Sequence, residues 1–118
     1  MKYHIIKRRD LNAIRRVIAA GLKVEVSKVT LKADLVKDLG MDSLDIYEMI
    51  YLMEERFGDG LSIPDDDVWE HIDSHGSSVR SAFNFVIPYI RGHRIKKARE
   101  YNITPYFLDV YKEERGIA

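Results

Sequence analysis

Apolar residues recur at helical spacing in four separate segments of this chain of 118 residues, and that repetition points to an all-α bundle. From Asp10, read as an N-cap, they fall at Leu11, Ile14, Val17, Ile18 and Leu22. A second segment opens at Ser43 and carries Leu44, Ile46, Tyr47, Met49, Ile50, Tyr51, Met53 and Phe57, with Gly58 or Gly60 as its stop. Apolar over more than half its circumference, this helix is expected to lie at the centre of the bundle. The third is short: Pro64 and three aspartates precede Val68, Trp69 and Ile72, loading the first turn with charge that suits the helix dipole. The fourth follows Ser77 or Ser78 as cap, with Val79, Ala82, Phe83, Val86, Ile87 and Ile90, and is expected to run to about Arg91. Pro88 cannot donate to the carbonyl of Asn84, so a kink or an early end is predicted there.

Between the first two helices, residues 23–41 hold Val24, Val26, Val29, Leu31, Leu35, Val36 and Leu39 without a sustained period. A connection that long inside a small domain calls for a reason. After the fourth helix the tail reads first as basic, RGHRIKKARE, and then restarts at Thr104-Pro105 with Tyr106, Phe107, Val110 and Tyr111. The expected organisation is a basic segment over 1–10, a helical domain over 11–91 and a helical extension over 92–118, a complete free-standing protein.

Composition excludes several classes. No apolar run approaches the eighteen or so residues of a membrane helix, the first ten residues lack the apolar core of a secretory signal, and there is no cysteine. A cytoplasmic protein without stable membrane insertion or disulfides is expected, and a monomer. The formal net charge is zero, but residues 34–70 hold twelve acids against Lys37 and Arg56, while residues 1–33 hold nine basic residues against two acids. So acidic a centre repels nucleic acid and steers basic protein surfaces toward itself.

Within that acidic centre, DLGMDSLD (38–45) sets Ser43 between Asp42 and Asp45 at the mouth of the second helix. No histidine stands nearby to activate a nucleophile. Free N–H groups and the dipole at a helix N-terminus favour an anion beside this serine, and no catalytic residue is assigned.

The words DLGMDSLD, EMIYLMEERF and IPDDD, in that order and spacing, resemble the acyl carrier protein family over about residues 11–91. The resemblance implies that Ser43, flanked by Asp42 and Leu44, accepts 4′-phosphopantetheine from coenzyme A by way of a phosphopantetheinyl transferase. It accounts for the long first loop, which family members pack onto the bundle. It further implies that an acidic helix face, here Asp45, Glu48, Glu54 and Glu55 with the apolar contacts Leu44 and Tyr51, docks acyl-transferring or synthase enzymes bearing basic patches. Arg56 departs from the acid usual in this run, and Asp42 before the serine favours acyl over peptidyl cargo.

The rival reading is an unmodified interaction protein that keeps the bundle and docks through its acidic helix. His71 and His75 are read as surface or packed side chains, since no third ligand has fixed spacing and no metal is assigned. Asp65, Asp66 and Asp67 are read as first-turn charge, and Met49, Met53 and Trp69 as packing.

Overall fold

The computed structural model describes residues 6–58 and 60–100, so the expected restart after Thr104-Pro105 lies outside the described residues. Four helices, α1 (Arg8–Leu22), α2 (Ser43–Phe57), α3 (Asp65–His75) and α4 (Val79–Glu100), form the bundle, with a 3₁₀ turn at Val26–Lys28. Among the described residues the only β pairing is an isolated bridge between Asp34 and Ser78. The all-α expectation holds. Ile14, Val29, Val79 and Ile90 are the largest side chains closed off from solvent, contributed by α1, the long loop, and the start and middle of α4.

The first helix starts at Arg8, and Asp10 is not its cap. Asp10 occupies the third helical position, where its carboxylate accepts the N–H of Lys7 at 2.8 Å. It is buried, and Arg94 of α4 donates two hydrogen bonds to it at 2.8 and 3.0 Å. An acid in the first turn was legible as a helix signal; its partner was not.

α1 meets α2 closely at one point. A Cβ on Gly21 would lie 2.5 Å from Cγ of Met49, so only glycine lets the two backbones approach this far. Gly21→Ala forces Met49 aside at a cost of about 1–3 kcal/mol, which exceeds the helix-propensity gain of at most about 1 kcal/mol. The expected net loss of about 1 kcal/mol lowers the melting temperature by about 4–8 °C, measurable by thermal circular dichroism.

The long loop is ordered by the start of α4 as much as by its own apolar residues. Val29, Leu35 and Met41 are buried, and Arg15 donates to the carbonyls of Val29 and Val26. The N–H of Leu35 bonds to the carbonyl of Ser77, that of Val79 to Ala33 and that of Arg80 to Leu31. Asp34 closes the arrangement: its Oδ1 accepts from the N–H groups of Val36 and Lys37, and its carboxylate accepts the Ser77 hydroxyl at 3.0 Å. Both strong neighbours hold its pKa below the ordinary aspartate value, the backbone N–H of Lys37 first. The loop's backbone polar groups thus find partners.

Helix α4 does not stop near Arg91; it continues through Pro88 to Glu100. Pro88 and Asn84 both lie on the exposed face, where water can serve the Asn84 carbonyl that loses its donor. Beyond the proline, Ile90 and Ala98 are buried, and the Arg94–Asp10 pair fastens this stretch to α1. Tertiary contacts therefore carry the helix past a residue that would end it in isolation. At the other end Ser78 is the cap, its hydroxyl accepting the N–H of Ser81 at 3.0 Å.

Candidate functional site

The mouth of α2 is built by a reciprocal cap. Asp42 Oδ1 accepts the N–H of Asp45 at 2.9 Å, and Asp45 Oδ2 accepts the N–H of Asp42 at 2.9 Å. Ser43 follows as the first helical residue and is exposed. In any α-helix the N–H groups of the first turn lack intrahelical acceptors, and here the cap occupies Asp45 while those of Ser43 and Leu44 remain at the mouth. A phosphodiester on the Ser43 oxygen fits this setting: it meets open solvent, a helix N-terminus and no wall of side chains. Asp42 and Asp45 supply negative charge close by, yet both are held in the cap, which fixes the serine's position.

Down α2 from Ser43 runs an exposed stripe of Leu44, Tyr47, Glu48, Tyr51 and Glu55. Leu44 is 75% exposed and Tyr51 57%, apolar area that a folded chain would otherwise bury. The Glu55 carboxylate, one turn further on, raises the pKa of the Tyr51 phenol, so the hydroxyl stays protonated. Tyr47, which the sequence reading placed among the apolar repeat, belongs to this stripe.

Two acids named for this face are placed otherwise. Asp45 is half-buried in the cap. Glu54 is half-buried beside the stripe, and its Oε2 accepts the N–H of the buried Ile63 at 2.9 Å, pinning the loop between α2 and α3. A charge on a helix reads as solvated; nothing in the local sequence marks one that serves a backbone group nine positions on.

Beneath the stripe, between α2, α3 and α4, lies an apolar cavity of about 80 Å³. Ile46, Met49 and Ile50 face Val68, Ile72 and Phe85 across it. That volume is well short of the 150 Å³ or so that admits a benzene ring, and methionines, the most adaptable core side chains, form part of the wall. These lining residues are legible as core from their spacing, but not as a cavity. Along the same wall His71 Nε2 lies 3.0 Å from the carbonyl oxygen and 2.9 Å from the hydroxyl of Ser81, and its ring stacks on His75 at 4.5 Å between centroids. His71 thus ties α3 to α4, and His75 covers its ring. At the start of α3, Asp67 accepts the Tyr89 hydroxyl at 2.6 Å. Burial and this carboxylate push the phenol up to about 12, so the bond persists throughout the physiological range.

A small helical bundle that offers one exposed serine at a capped helix mouth, beside an acidic and apolar stripe and above an apolar interior, has the build of a prosthetic-group carrier. The family model described as "Phosphopantetheine attachment site" matches residues 12–74. The chain is 41% identical over 73 residues to an acyl carrier protein of Treponema denticola, an alignment covering 62% of this chain and 85% of that one. It is 38% identical over 73 residues to an acyl carrier protein of Treponema pallidum, with the same coverage. An acyl carrier protein of Helicobacter acinonychis is 51% identical over 53 residues, which is 45% of this chain and 65% of that one. The chain belongs to the acyl carrier protein family.

Proposed function

We propose that the protein holds acyl groups as thioesters on a 4′-phosphopantetheine arm attached through the Ser43 hydroxyl, and delivers them to enzymes of fatty-acid, lipid or polyketide assembly. The observation that carries this is the exposed Ser43 at the first position of a helix whose cap is already satisfied by Asp42 and Asp45. When bound, the arm supplies the thiol that forms the thioester. The protein's own residues do the rest. Asp42 and Asp45 fix the attachment point, the first turn of α2 stabilises the phosphodiester, and Leu44 beside Ser43 gives an apolar foothold to the transferase.

Glu48, Tyr51 and Glu55 form the docking stripe for basic patches on that transferase and on acyl-transferring or synthase enzymes, in the cytoplasm and as a monomer. Asp45 contributes its charge to the field at the mouth. Glu54 acts chiefly through Ile63, so its place in docking is secondary. Single rim charges are worth about 0–1 kcal/mol, so each encounter is weak and fast, as suits a carrier with several partners. Glu48→Lys and Glu55→Lys are expected to slow loading by coenzyme A and a phosphopantetheinyl transferase by a few fold at low salt, the difference fading as salt screens it. Glu54→Ala, in contrast, leaves a buried N–H without its acceptor and lowers stability by about 1–3 kcal/mol. Loading rates that are indifferent to both reversals at low salt would remove the stripe from the docking surface.

A further inference from the structure

Among the described residues a second charged feature lies at the opposite pole of the bundle from Ser43. Asp10 in the first turn of α1, Phe57 at the end of α2 and Arg94 near the end of α4 meet there: Arg94 bonds Asp10, and its guanidinium lies 5.7 Å from the centre of the Phe57 ring. Ser43 begins α2 and Phe57 ends it, so this pole stands about 20 Å from the serine at the ordinary helical rise. Residues 7–10 and 91–100 place eight cations here against Asp10 and Glu100, and Arg56 and Glu55 in the last turn of α2 offset one another. Arg8, Arg9, Lys96 and Arg99 are exposed.

One of these cations sits where helix electrostatics oppose it. Arg8 opens α1 beside the positive end of its dipole, where an acid is favoured and a cation is not, whereas the charge of Arg9 helps to hold the Asp10 carboxylate. A placement that costs stability points to a use outside the fold. The exposed large apolar residues among those described, Val26, Leu31, Val36, Leu44, Tyr47 and Tyr51, all lie in the long loop or on the stripe, none at this pole. A protein interface centres on buried apolar or aromatic anchors, and this surface presents none among its described residues. A lipid surface asks only for cations within a Debye length of its headgroups.

We infer that the pole formed by the start of α1 and the end of α4 is a peripheral docking surface for an anionic lipid bilayer. Bound this way, the chain turns Ser43 and the acids of the first turns of α2, Asp42, Asp45 and Glu48, away from the membrane, and repulsion between them and the headgroups reinforces the orientation. The contact is electrostatic and reversible, without insertion.

The test is flotation of the full chain with vesicles of phosphatidylcholine containing 30% phosphatidylglycerol, against pure phosphatidylcholine, at low and high salt. Each cation near an anionic surface contributes about a five-fold factor in partitioning, so Arg8→Gln with Arg9→Gln, or Lys96→Gln with Arg99→Gln, should each weaken binding about thirty-fold. Lys28→Gln with Lys32→Gln, in the long loop, should leave it within a factor of a few. The Lys96/Arg99 variant, which changes two exposed side chains outside the Asp10–Arg94 pair, should melt within a few degrees of the parent, which separates lost binding from lost folding. Flotation with the anionic vesicles alone, lost at high salt and in both pole variants, supports the inference. No flotation at low salt overturns it, as does equal loss in the loop variant. Binding to a DNA duplex, or self-association through the acidic stripe, in place of vesicle binding also overturns it.

Discussion

Ser43→Ala will leave the protein folded and unable to accept phosphopantetheine. The side chain is exposed and stands at the first position of α2, and alanine is the best helix former, so the change lies within about 0.5 kcal/mol of neutral. The cap between Asp42 and Asp45 uses neither the hydroxyl nor the backbone of residue 43 as an acceptor, so the helix mouth keeps its shape. Loading has no fallback. From Asp38 to Arg56, Ser43 is the sole serine or threonine, and Tyr47 and Tyr51 project from the helix face further down. Incubation with coenzyme A and a broad-specificity transferase, followed by intact mass, should give complete conversion of the parent and none of the variant, with matching melting curves. Asp42→Ala provides the contrast: it keeps the hydroxyl but loses the cap, at a cost of about 1 kcal/mol, and should load more slowly without losing the capacity.

The second large effect concerns the other end of the molecule. Asp10→Asn removes the charge from a buried carboxylate that takes two hydrogen bonds from Arg94, and so breaks the ion pair that joins α1 to α4. Breaking one side of such a pair costs about 3–5 kcal/mol, and because Arg94 retains some solvent access the lower figure is expected. That is a large share of the 5–15 kcal/mol or so typical of a small domain. Burial by itself raises the pKa of Asp10. The hydrogen bonds from Arg94 and Lys7 and the charges of Arg94 and Arg9 outweigh it, so the folded value lies below the ordinary 3.8. A carboxylate with a depressed pKa stabilises the fold fully above its unfolded pKa, and that contribution disappears as the pH falls through the folded one. Urea unfolding of parent and Asp10→Asn should therefore differ most at neutral pH and converge in strong acid. Hydrogen exchange should rise across residues 91–100 in the variant, because Arg94 is the clasp that holds this part of α4 to α1. A cycle with Arg94→Met should show coupling between the two sites, with the double variant losing less than the sum of the singles.

What the sequence made legible is what lies close together in it. The reciprocal cap joins Asp42 and Asp45, three positions apart, Gly58 stops α2 with a φ of 115°, and the apolar stripe of each helix follows one local period. The capped helix mouth that presents Ser43 and the acidic helix behind it were readable for that reason. The Asp10–Arg94 pair joins residues 84 apart, and Asp34 meets Ser77 from 43 positions away, so local pattern could reveal neither. The long loop was expected to be held by scattered apolar residues, and Val29, Leu35 and Met41 are indeed buried; its backbone bonds to the start of α4 had no sequence signal. Pro88 misled about the end of α4 because the rule weighs a lost hydrogen bond against an isolated helix. In the folded chain Pro88 and Asn84 lie on the exposed face, and Ile90, Ala98 and Arg94 hold the continuation. Glu54 shows the same limit within the site: identical in composition to Glu55, it binds a backbone N–H from a neighbouring loop.

The most direct test of the carrier reading is peptide mapping of the protein isolated from its native cell. Trypsin releases Asp38–Arg56 as one fragment, since no lysine or arginine lies between Lys37 and Arg56, and Ser43 is its single alcohol side chain. The account predicts one phosphopantetheine, free or acylated, on that fragment and on no other. A fragment of unmodified mass, or a phosphopantetheine found elsewhere in the chain, would contradict it.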